Sequence, residues 1–299
     1  MPSAETEQHH EKATGLDVMH PALALRLLAS GQQAAANAVD AAIEPLVAAA
    51  QIAADALASG GRLAYAGAGS SGLMAMTDAL ELPGTYGIAL DKVVVLLAGG
   101  AASLTDLAGG YEDDVELARK DVREAGIGEG DCLISVSASG STPYALAAAD
   151  EAQQRGARVI AMANNPGAML FQGAEVAILL QTPPEVISGS TRMGAATAQK
   201  IAFNMFSTLV GIHLGHVYDG YMVNLKADNA KLRGRAVRIV SDIAGIGPAE
   251  AGRYLTTSSG SVKIAILLAA GARDVAAAEA ALAEAGQNLR RALSSVAAR

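Results

Sequence analysis

Five short runs of apolar residues follow one another between positions 62 and 181 and carry the main structural signal in the chain. Each run is rich in Val, Ile or Leu and does not alternate strictly between apolar and polar residues. Strands that are covered on both faces have this composition, because neither face meets water. The runs therefore predict five buried strands, at Arg62–Ala66, Lys92–Ala98, Cys132–Ser137, Arg158–Ala163 and Glu175–Gln181.

Helical patterns separate the first four of these runs, at Ser71–Leu82, Glu112–Ala125 and Thr142–Arg155. An alternation of strands and helices is typical of a parallel sheet with right-handed crossovers. We therefore predict an α/β fold with a five-stranded, parallel, doubly wound sheet. Ligands of such sheets bind at the carboxyl ends of the strands, so chemistry is expected in the loops that follow the strands.

The two ends of the chain have different patterns. Residues 1–15 are polar and charged, which predicts a segment that is pliable when free. Asp17–Ser59 is alanine-rich with helical spacing, as for two helices or one broken helix. A long apolar helix is expected between the loop Thr182–Ser190 and about Leu214, and short helices follow from Lys231. These patterns predict an N-terminal helical segment (1–60), an α/β domain (61–230) and a small C-terminal helical domain (231–299).

Composition narrows the possible partners of the 299-residue chain. Its 22 basic and 30 acidic residues give a net charge of −8, and aromatic residues make up 3% with no Trp. These values disfavour a nucleic-acid or acidic-membrane partner. The single cysteine, Cys132, cannot form an internal disulfide and is expected to be an inert core thiol. No secretion signal or unbroken apolar stretch of about 20 residues is recognisable, which predicts a soluble cytoplasmic protein.

The first predicted strand leads into the glycine loop (residues 67–72), which opens a helix and has the form G-x-G-x-x-G. A dinucleotide site of this kind also needs an acidic residue at the end of the second strand, to hold the ribose. That strand ends in Leu97-Ala98-Gly99-Gly100, so we expect no nicotinamide cofactor. Ser70 and Ser71 instead favour a phosphate seat at the helix N-terminus. A purely structural turn with a helix N-cap is the alternative.

The third strand ends in a second hydroxyl-rich segment, the serine loop (residues 137–142), which Pro143 follows. Hydroxyl groups bind phosphate oxygens without adding charge, the helix N-terminus supplies positive potential, and proline suits the first helical turn. Two such loops at the tips of adjacent strands predict a site for a phosphate monoester. Its expected donors are Ser70, Ser71, Ser137, Ser139, Ser141 and Thr142.

The S-x-S-G-x-T sequence of the serine loop resembles the sugar isomerase (SIS) domain family, whose members bind phosphosugars without a nucleotide. Longer blocks extend the resemblance, from Thr6-Glu7 to the last helix, to the N-acetylmuramic acid 6-phosphate etherase family. These blocks are Asp78–Pro83, Tyr111–Asp114, Pro184–Arg192, Ala198–Lys200, Asn229–Arg233, Arg235–Val240 and Gly260–Lys263. The resemblance implies an SIS-type, flavodoxin-like sheet and a sugar-phosphate substrate, with no cofactor.

The resemblance also implies a reaction, which is cleavage of the D-lactyl ether at C3 of the sugar to N-acetylglucosamine 6-phosphate and D-lactate. A base removes the acidic C2 proton of the open-chain sugar, an acid protonates the departing lactyl oxygen, and water adds to the double bond. The resemblance assigns Glu81 as the acid and Glu112 as the base. From the residues alone, Glu81 also fits a solvated helix surface, and Glu112 also fits an acidic helix start.

Further substrate contacts are implied by the resemblance at Glu185, Ser190, Thr191, Arg192 and Lys231. A homodimer is predicted because the helix around Ile201–Leu214 is more apolar than one small sheet requires. The five histidines have no metal-binding spacing, so no metal is predicted.

At three positions the chain departs from the family pattern. Leu73, Ser141 and Gly194 stand where the family usually has Arg, Arg and Lys. A charge-assisted contact is worth about 1.5–3 kcal/mol, so these changes bear on how the lactyl carboxylate is recognised. Three functions stay open: an ether lyase, an aldose–ketose phosphosugar isomerase, which needs one base, and a non-catalytic phosphosugar-binding regulator.

Overall fold

The computed structural model describes residues 5–107, 109–225, 227 and 229–297. Its strands are β1 (Leu63–Gly67), β2 (Val93–Leu97), β3 (Cys132–Ser137), β4 (Arg158–Ala163), β5 (Val176–Leu179), β6 (Val217–Tyr218) and β7 (Tyr221–Met222). Its α-helices are α1 (Pro21–Asn37), α2 (Ile43–Ala58), α3 (Gly69–Tyr86), α4 (Val115–Glu124), α5 (Pro143–Gln154), α6 (Gly194–His213), α7 (Ala230–Ala244), α8 (Pro248–Thr257), α9 (Val262–Ala269), α10 (Val275–Glu284) and α11 (Leu289–Ala297). Short 3-10 helices lie at Glu5–Glu7, Leu16–Val18, Ala38–Ala42, Leu90–Lys92, Gly100–Leu104, Gly109–Asp113 and Met169–Phe171.

The central sheet contains β1 to β5, all parallel, in the order β2-β1-β3-β4-β5. The predicted five-stranded parallel sheet is therefore confirmed. β1 and β3 are buried along their whole lengths, which explains why their sequences do not alternate. Cys132 lies at the start of β3, and burial raises the pKa of its thiol to about 12. This is the environment expected of an unreactive core cysteine.

Helices cover the sheet. α4 and α5 pack on it through a core that includes Leu96, Val122, Leu133 and Tyr144. α2 contacts β1, β3 and β5, and its buried side includes Leu46. The loop between β3 and α5 is thereby held between a fully buried strand and a helix that packs on the sheet.

The N-terminal helices are strongly apolar. By length and composition the stretch Pro21–Ala58 could cross a membrane, whereas the sequence patterns predict no span. In the structure the 3-10 helix Ala38–Ala42 interrupts this stretch, which therefore forms two α-helices. Two helices are one of the two arrangements that the sequence predicts here. Seven of the 16 residues of α2 are buried against the sheet domain. α2 is thus placed as a core helix.

The chain forms two compact units. The first contains the residues up to Ala79 and the segment Asp91–Ser207, so it holds the central sheet together with α1 and α2. The second contains Leu80–Leu90 and the chain from Thr208 onward, with a core formed by residues of α7 to α11. The boundaries at Ala79 and Ser207 lie within α3 and α6, so each of these helices contributes residues to both units. The division into segments 1–60, 61–230 and 231–299 stays a prediction.

The second unit also contains a small hairpin that the sequence analysis did not predict. β6 and β7 are joined by Asp219-Gly220, and both residues have positive φ, of 45° and 80°. An Asp-Gly pair is the preferred sequence for such a two-residue turn, so a local signal for this hairpin was available.

Candidate functional site

Two loops meet at the carboxyl edge of the sheet, between β1 and β3. The chain changes direction across the sheet at this point, since β2 lies on one side of β1 and β3 to β5 follow on the other. Ligands of open parallel sheets bind at such switch points. A cavity of about 310 Å³ lies here, and we call it the loop pocket; its lining is Glu7, Ala68, Gly69, Ser70, Ser71, Glu112, Asp113, Ala138, Ser139, Ser141, Thr142, Pro143, Gly189 and Thr191.

The glycine loop joins the end of β1 to the first turn of α3. Gly69 has a φ of +52°, and a Cβ atom on Gly72 would lie 2.8 Å from the carbonyl oxygen of Gly67. Only glycine fits at position 72, since a real Cβ does not approach backbone so closely. This packing places Ser70 and Ser71 in the loop pocket, in the first turn of an 18-residue helix. Backbone N–H groups in that turn have no partner within the helix and are available to an anion.

The serine loop is held by hydroxyl groups that bond to one another. Ser137 Oγ lies 2.7 Å from Thr142 Oγ1 and 3.2 Å from Ser139 Oγ, and it accepts the N–H of Gly140 at 3.0 Å. Ser141 Oγ donates to Ser139 Oγ at 3.0 Å. Ser139, Ser141 and Thr142 line the loop pocket, whereas Ser137 is buried and is not among the lining residues. Ser137 thus holds the pocket-facing hydroxyls in position.

Glu112 lies on the 3-10 helix Gly109–Asp113 and lines the loop pocket. α4 begins only at Val115, because the side chain of Asp114 caps it by accepting the N–H of Leu117 at 2.8 Å. The predicted helix start at Glu112 is therefore wrong. The exposed carboxylate of Glu112 lies beside the glycine loop, with one oxygen 4.0 Å from the position of a Cβ on Gly69.

The charges of the loop pocket are all of one sign. Among the described residues that line it, Glu7, Glu112 and Asp113 are acidic and none is Lys or Arg. A phosphate group bound here would depend on hydroxyls, backbone N–H groups and the N-terminal ends of α3 and α5. Within the described ranges, no three His, Cys, Asp or Glu side chains are arranged to hold a metal ion.

Part of the pocket wall comes from the N-terminal segment, which the sequence analysis left without a role. Thr6 is fully buried; its N–H donates to Asn165 Oδ1 at 3.3 Å, and Asn165 Nδ2 donates to Thr6 Oγ1 at 3.1 Å. The same Asn165 amide donates to the carbonyl of Ala138 in the serine loop, at 2.8 Å. Glu7 thereby reaches the loop pocket. The sequence contains a signal for this segment, because the resemblance to the family begins at Thr6-Glu7. The contacts themselves leave no local pattern, since Thr6 and Asn165 are 159 positions apart.

Glu185 has another set of partners. It is 5% exposed, and its two carboxylate oxygens accept the N–H groups of Gly194 and Ala195, each at 2.9 Å. These are the first residues of α6, so the carboxylate caps that helix. A Cβ on Gly194 would lie 3.1 Å from Glu185 Oε2. The family usually has Lys at this position. In this chain a side chain on residue 194 would press against the carboxylate of Glu185, and glycine avoids that contact.

The other predicted site residues are distributed as follows. Thr191 lines the loop pocket, whereas its neighbours Ser190 and Arg192 are not among the lining residues. Glu81 is exposed on the part of α3 that belongs to the second compact unit, and Lys231 is exposed at the start of α7 in the same unit. Their roles in a site remain predictions.

Asp78 is the centre of a buried polar network. Its carboxylate accepts hydrogen bonds from Tyr65 Oη (3.0 Å), Ser207 Oγ (2.8 Å) and Asn204 Nδ2 (3.2 Å), which joins β1, α3 and α6. Burial raises the pKa of Asp78 to about 6, although the three hydrogen bonds and the charge of Lys200 act in the opposite direction. Asp78 opens a family-like block of sequence, but no role was predicted for it.

Comparisons with known proteins identify the family and the fold of the chain. The model of the SIS domain matches residues 28–164. The chain is 43% identical to N-acetylmuramic acid 6-phosphate etherase of Deinococcus radiodurans, over 88% of this chain and 86% of that protein. It is 40% identical to the etherase of Streptomyces avermitilis, over 96% and 93% of the two chains. A Bacteroides fragilis structure, described as a candidate phosphosugar isomerase involved in capsule formation, shares the fold with a TM-score of 0.51 and 19% identity, over 68% of this chain and 97% of that one. The chain belongs to the N-acetylmuramic acid 6-phosphate etherase family.

Proposed function

We propose that the protein cleaves the D-lactyl ether of N-acetylmuramic acid 6-phosphate and releases N-acetylglucosamine 6-phosphate and D-lactate. The observation that carries this proposal is the loop pocket, where the hydroxyls of two strand-end loops and the carboxylate of Glu112 lie together. The names of relatives that are 40–43% identical over most of the chain supply the substrate.

The phosphate is proposed to occupy the serine loop and the first turn of α3. Ser70, Ser71, Ser139, Ser141 and Thr142 line the pocket there, and each hydroxyl can donate to a phosphate oxygen. Ser137 supports this set from within the loop. Because the pocket lining is acidic, helix N-termini and hydroxyls supply the attraction for the dianion.

Glu112 is proposed as the base. Its carboxylate takes the proton from C2 of the open-chain sugar, which is acidic because the aldehyde stabilises the resulting carbanion. The C3–O bond then breaks, Glu81 gives a proton to the departing lactyl oxygen, and water adds across the C2–C3 double bond to restore the C3 hydroxyl. Glu81, Ser190, Thr191, Arg192 and Lys231 enter this scheme from the resemblance. Glu185 is given no substrate contact in it, because both of its carboxylate oxygens accept N–H groups at the start of α6.

We also propose that the protein is a cytoplasmic homodimer. Exposed apolar side chains on the N-terminal helices support the dimer, since Leu23 is 55% and Leu25 is 66% exposed, and Ile43 and Val47 are exposed as well. A second copy of the chain would remove this surface from water.

A second candidate is an aldose–ketose isomerase acting on a sugar phosphate. The specific observation in its favour is that the described lining of the loop pocket offers a base beside the phosphate loops but no cation for a lactyl carboxylate. Proton transfer between C1 and C2 requires only that one base.

The deciding experiment incubates the protein with saturating N-acetylmuramic acid 6-phosphate and measures D-lactate with a coupled dehydrogenase assay. Stoichiometric D-lactate and N-acetylglucosamine 6-phosphate are the expected products. A ketose phosphate formed from an aldose phosphate, without lactate, identifies the isomerase. Sugar-phosphate binding by calorimetry with unchanged substrate after long incubation identifies a regulator and contradicts both enzymes.

A further inference from the structure

Glu7 brings a carboxylate from the N-terminal segment into the loop pocket. It lines the same cavity as Ser139, Thr142 and Glu112. Its Oε2 atom lies 3.1 Å from the position that a Cβ on Gly189 would take, so the carboxylate rests against the backbone of the loop before α6. Gly189 has a φ of +73°, a conformation that also favours glycine there.

The backbone at Glu7 is held by a buried contact of the preceding residue and by exposed contacts with the loop before α6. Thr6 is bonded to Asn165 through both its N–H and its hydroxyl, and its carbonyl accepts the N–H of Gly189 at 3.2 Å. The carbonyl of Glu7 accepts the hydroxyl of Ser188 at 3.0 Å. Ordering the backbone costs about 1–2 kcal/mol of conformational entropy per residue, and these contacts offset that cost.

The chemistry of a carboxylate limits what Glu7 can bind. An ionised carboxylate only accepts hydrogen bonds, and it repels phosphate. It therefore suits a neutral O–H or N–H donor on the sugar, at a distance from the phosphate that the two loops hold. We propose that Glu7 is a substrate-binding residue that accepts a hydrogen bond from the sugar or its N-acetyl group, and that it selects for this part of the ligand. The inference rests on the proposed phosphosugar site but not on the ether-cleaving reaction.

The test measures binding of N-acetylglucosamine 6-phosphate and of inorganic phosphate by isothermal titration calorimetry. Glu7→Ala is expected to weaken sugar-phosphate binding about tenfold or more, and Glu7→Gln about fivefold, because a neutral acceptor binds less strongly than a charged one. Binding of inorganic phosphate is expected to stay the same or to tighten, since one repelling charge is lost. Glu5→Ala is the matched control: Glu5 lies on the same 3-10 helix, but its carboxylate accepts from Gln181, at 3.0 Å and 3.2 Å, and not from the pocket.

A second variant tests the hydrogen bond between Thr6 and Asn165, which holds the backbone next to Glu7, and leaves the carboxylate of Glu7 in place. Thr6→Val removes the hydroxyl that accepts from Asn165, and it is expected to weaken sugar-phosphate binding while leaving binding of inorganic phosphate intact. Unchanged sugar-phosphate affinity in Glu7→Ala overturns the proposal, and so does an equal loss for the sugar phosphate and for inorganic phosphate. If the wild-type protein binds the sugar phosphate but releases no D-lactate, the etherase proposal fails. The role of Glu7 is still tested in that case, because it is measured by the sugar-phosphate affinities of the wild-type and Glu7→Ala proteins.

Discussion

The hydroxyl oxygens of Ser137 and Thr142 lie 2.7 Å apart at the tip of β3. Ser137 is 2% exposed, yet it also bonds to Ser139 and to the N–H of Gly140. One buried hydroxyl thus orients two hydroxyls that face the loop pocket. Pre-arranged donors reduce the entropy that a ligand must overcome on binding.

Replacing Ser137 tests this arrangement. We expect Ser137→Ala to weaken N-acetylglucosamine 6-phosphate binding about tenfold, because Thr142 and Ser139 lose their common partner, and to lower the free energy of unfolding by about 1 kcal/mol. Calorimetry and urea unfolding measure the two effects. Ser135→Ala is the matched control, since Ser135 lies on the same strand and donates to the carbonyl of Ala145 at 2.9 Å. It should lose similar stability and keep its affinity; equal affinity in both variants would contradict the role of Ser137.

The sheet and its two loops could be predicted because their signals are local. Apolar runs without alternation mark the buried strands, and Gly and Ser cluster where β1 and β3 end. The place of Glu7 in the loop pocket could not be predicted from local patterns, since it depends on hydrogen bonds between Thr6 and Asn165, which are 159 positions apart. The contacts of Glu185 could not be predicted for another reason: the resemblance implies a substrate contact, and the sequence alone does not show that this carboxylate reaches the first N–H groups of α6.

The two proposed catalytic glutamates lead to a prediction about chemistry as distinct from binding. Glu112→Gln and Glu81→Gln are each expected to lower the rate of D-lactate release about 10²–10⁴-fold, the usual contribution of a positioned acid or base. Affinity for N-acetylglucosamine 6-phosphate should stay within a few-fold, because the phosphate loops are unchanged.

Glu129→Gln is a suitable control for these variants. Glu129 is exposed and precedes β3, at the opposite edge of the sheet from the loop pocket. It should retain the wild-type rate. A near-normal rate in either catalytic variant removes that glutamate from the mechanism.

The carboxylate of Glu185 is expected to act on stability. Glu185→Ala leaves the N–H groups of Gly194 and Ala195 without their acceptors, so the free energy of unfolding should fall by about 1–3 kcal/mol. Urea unfolding measures this loss, and calorimetry with the sugar phosphate should detect little change in affinity. Unchanged stability together with weaker binding would instead support the substrate contact that the family resemblance implies.

The raised pKa of Asp78 predicts that stability depends on pH. In the unfolded chain the carboxyl titrates near 3.8, whereas in the folded protein its pKa is about 6, because burial disfavours the charged form. A group with a raised pKa contributes stability that is present below the unfolded value and is lost as the pH rises through the folded value. Between about pH 4 and pH 6.5 the wild-type protein should therefore lose about 2 kcal/mol relative to Asp78→Asn, which has no proton to release. Urea unfolding of both proteins across this range measures the difference, and Asp91→Asn, at an exposed acid, controls for the loss of one charge. Parallel curves for the wild-type and Asp78→Asn proteins would mean that Asp78 keeps an ordinary pKa in the folded chain.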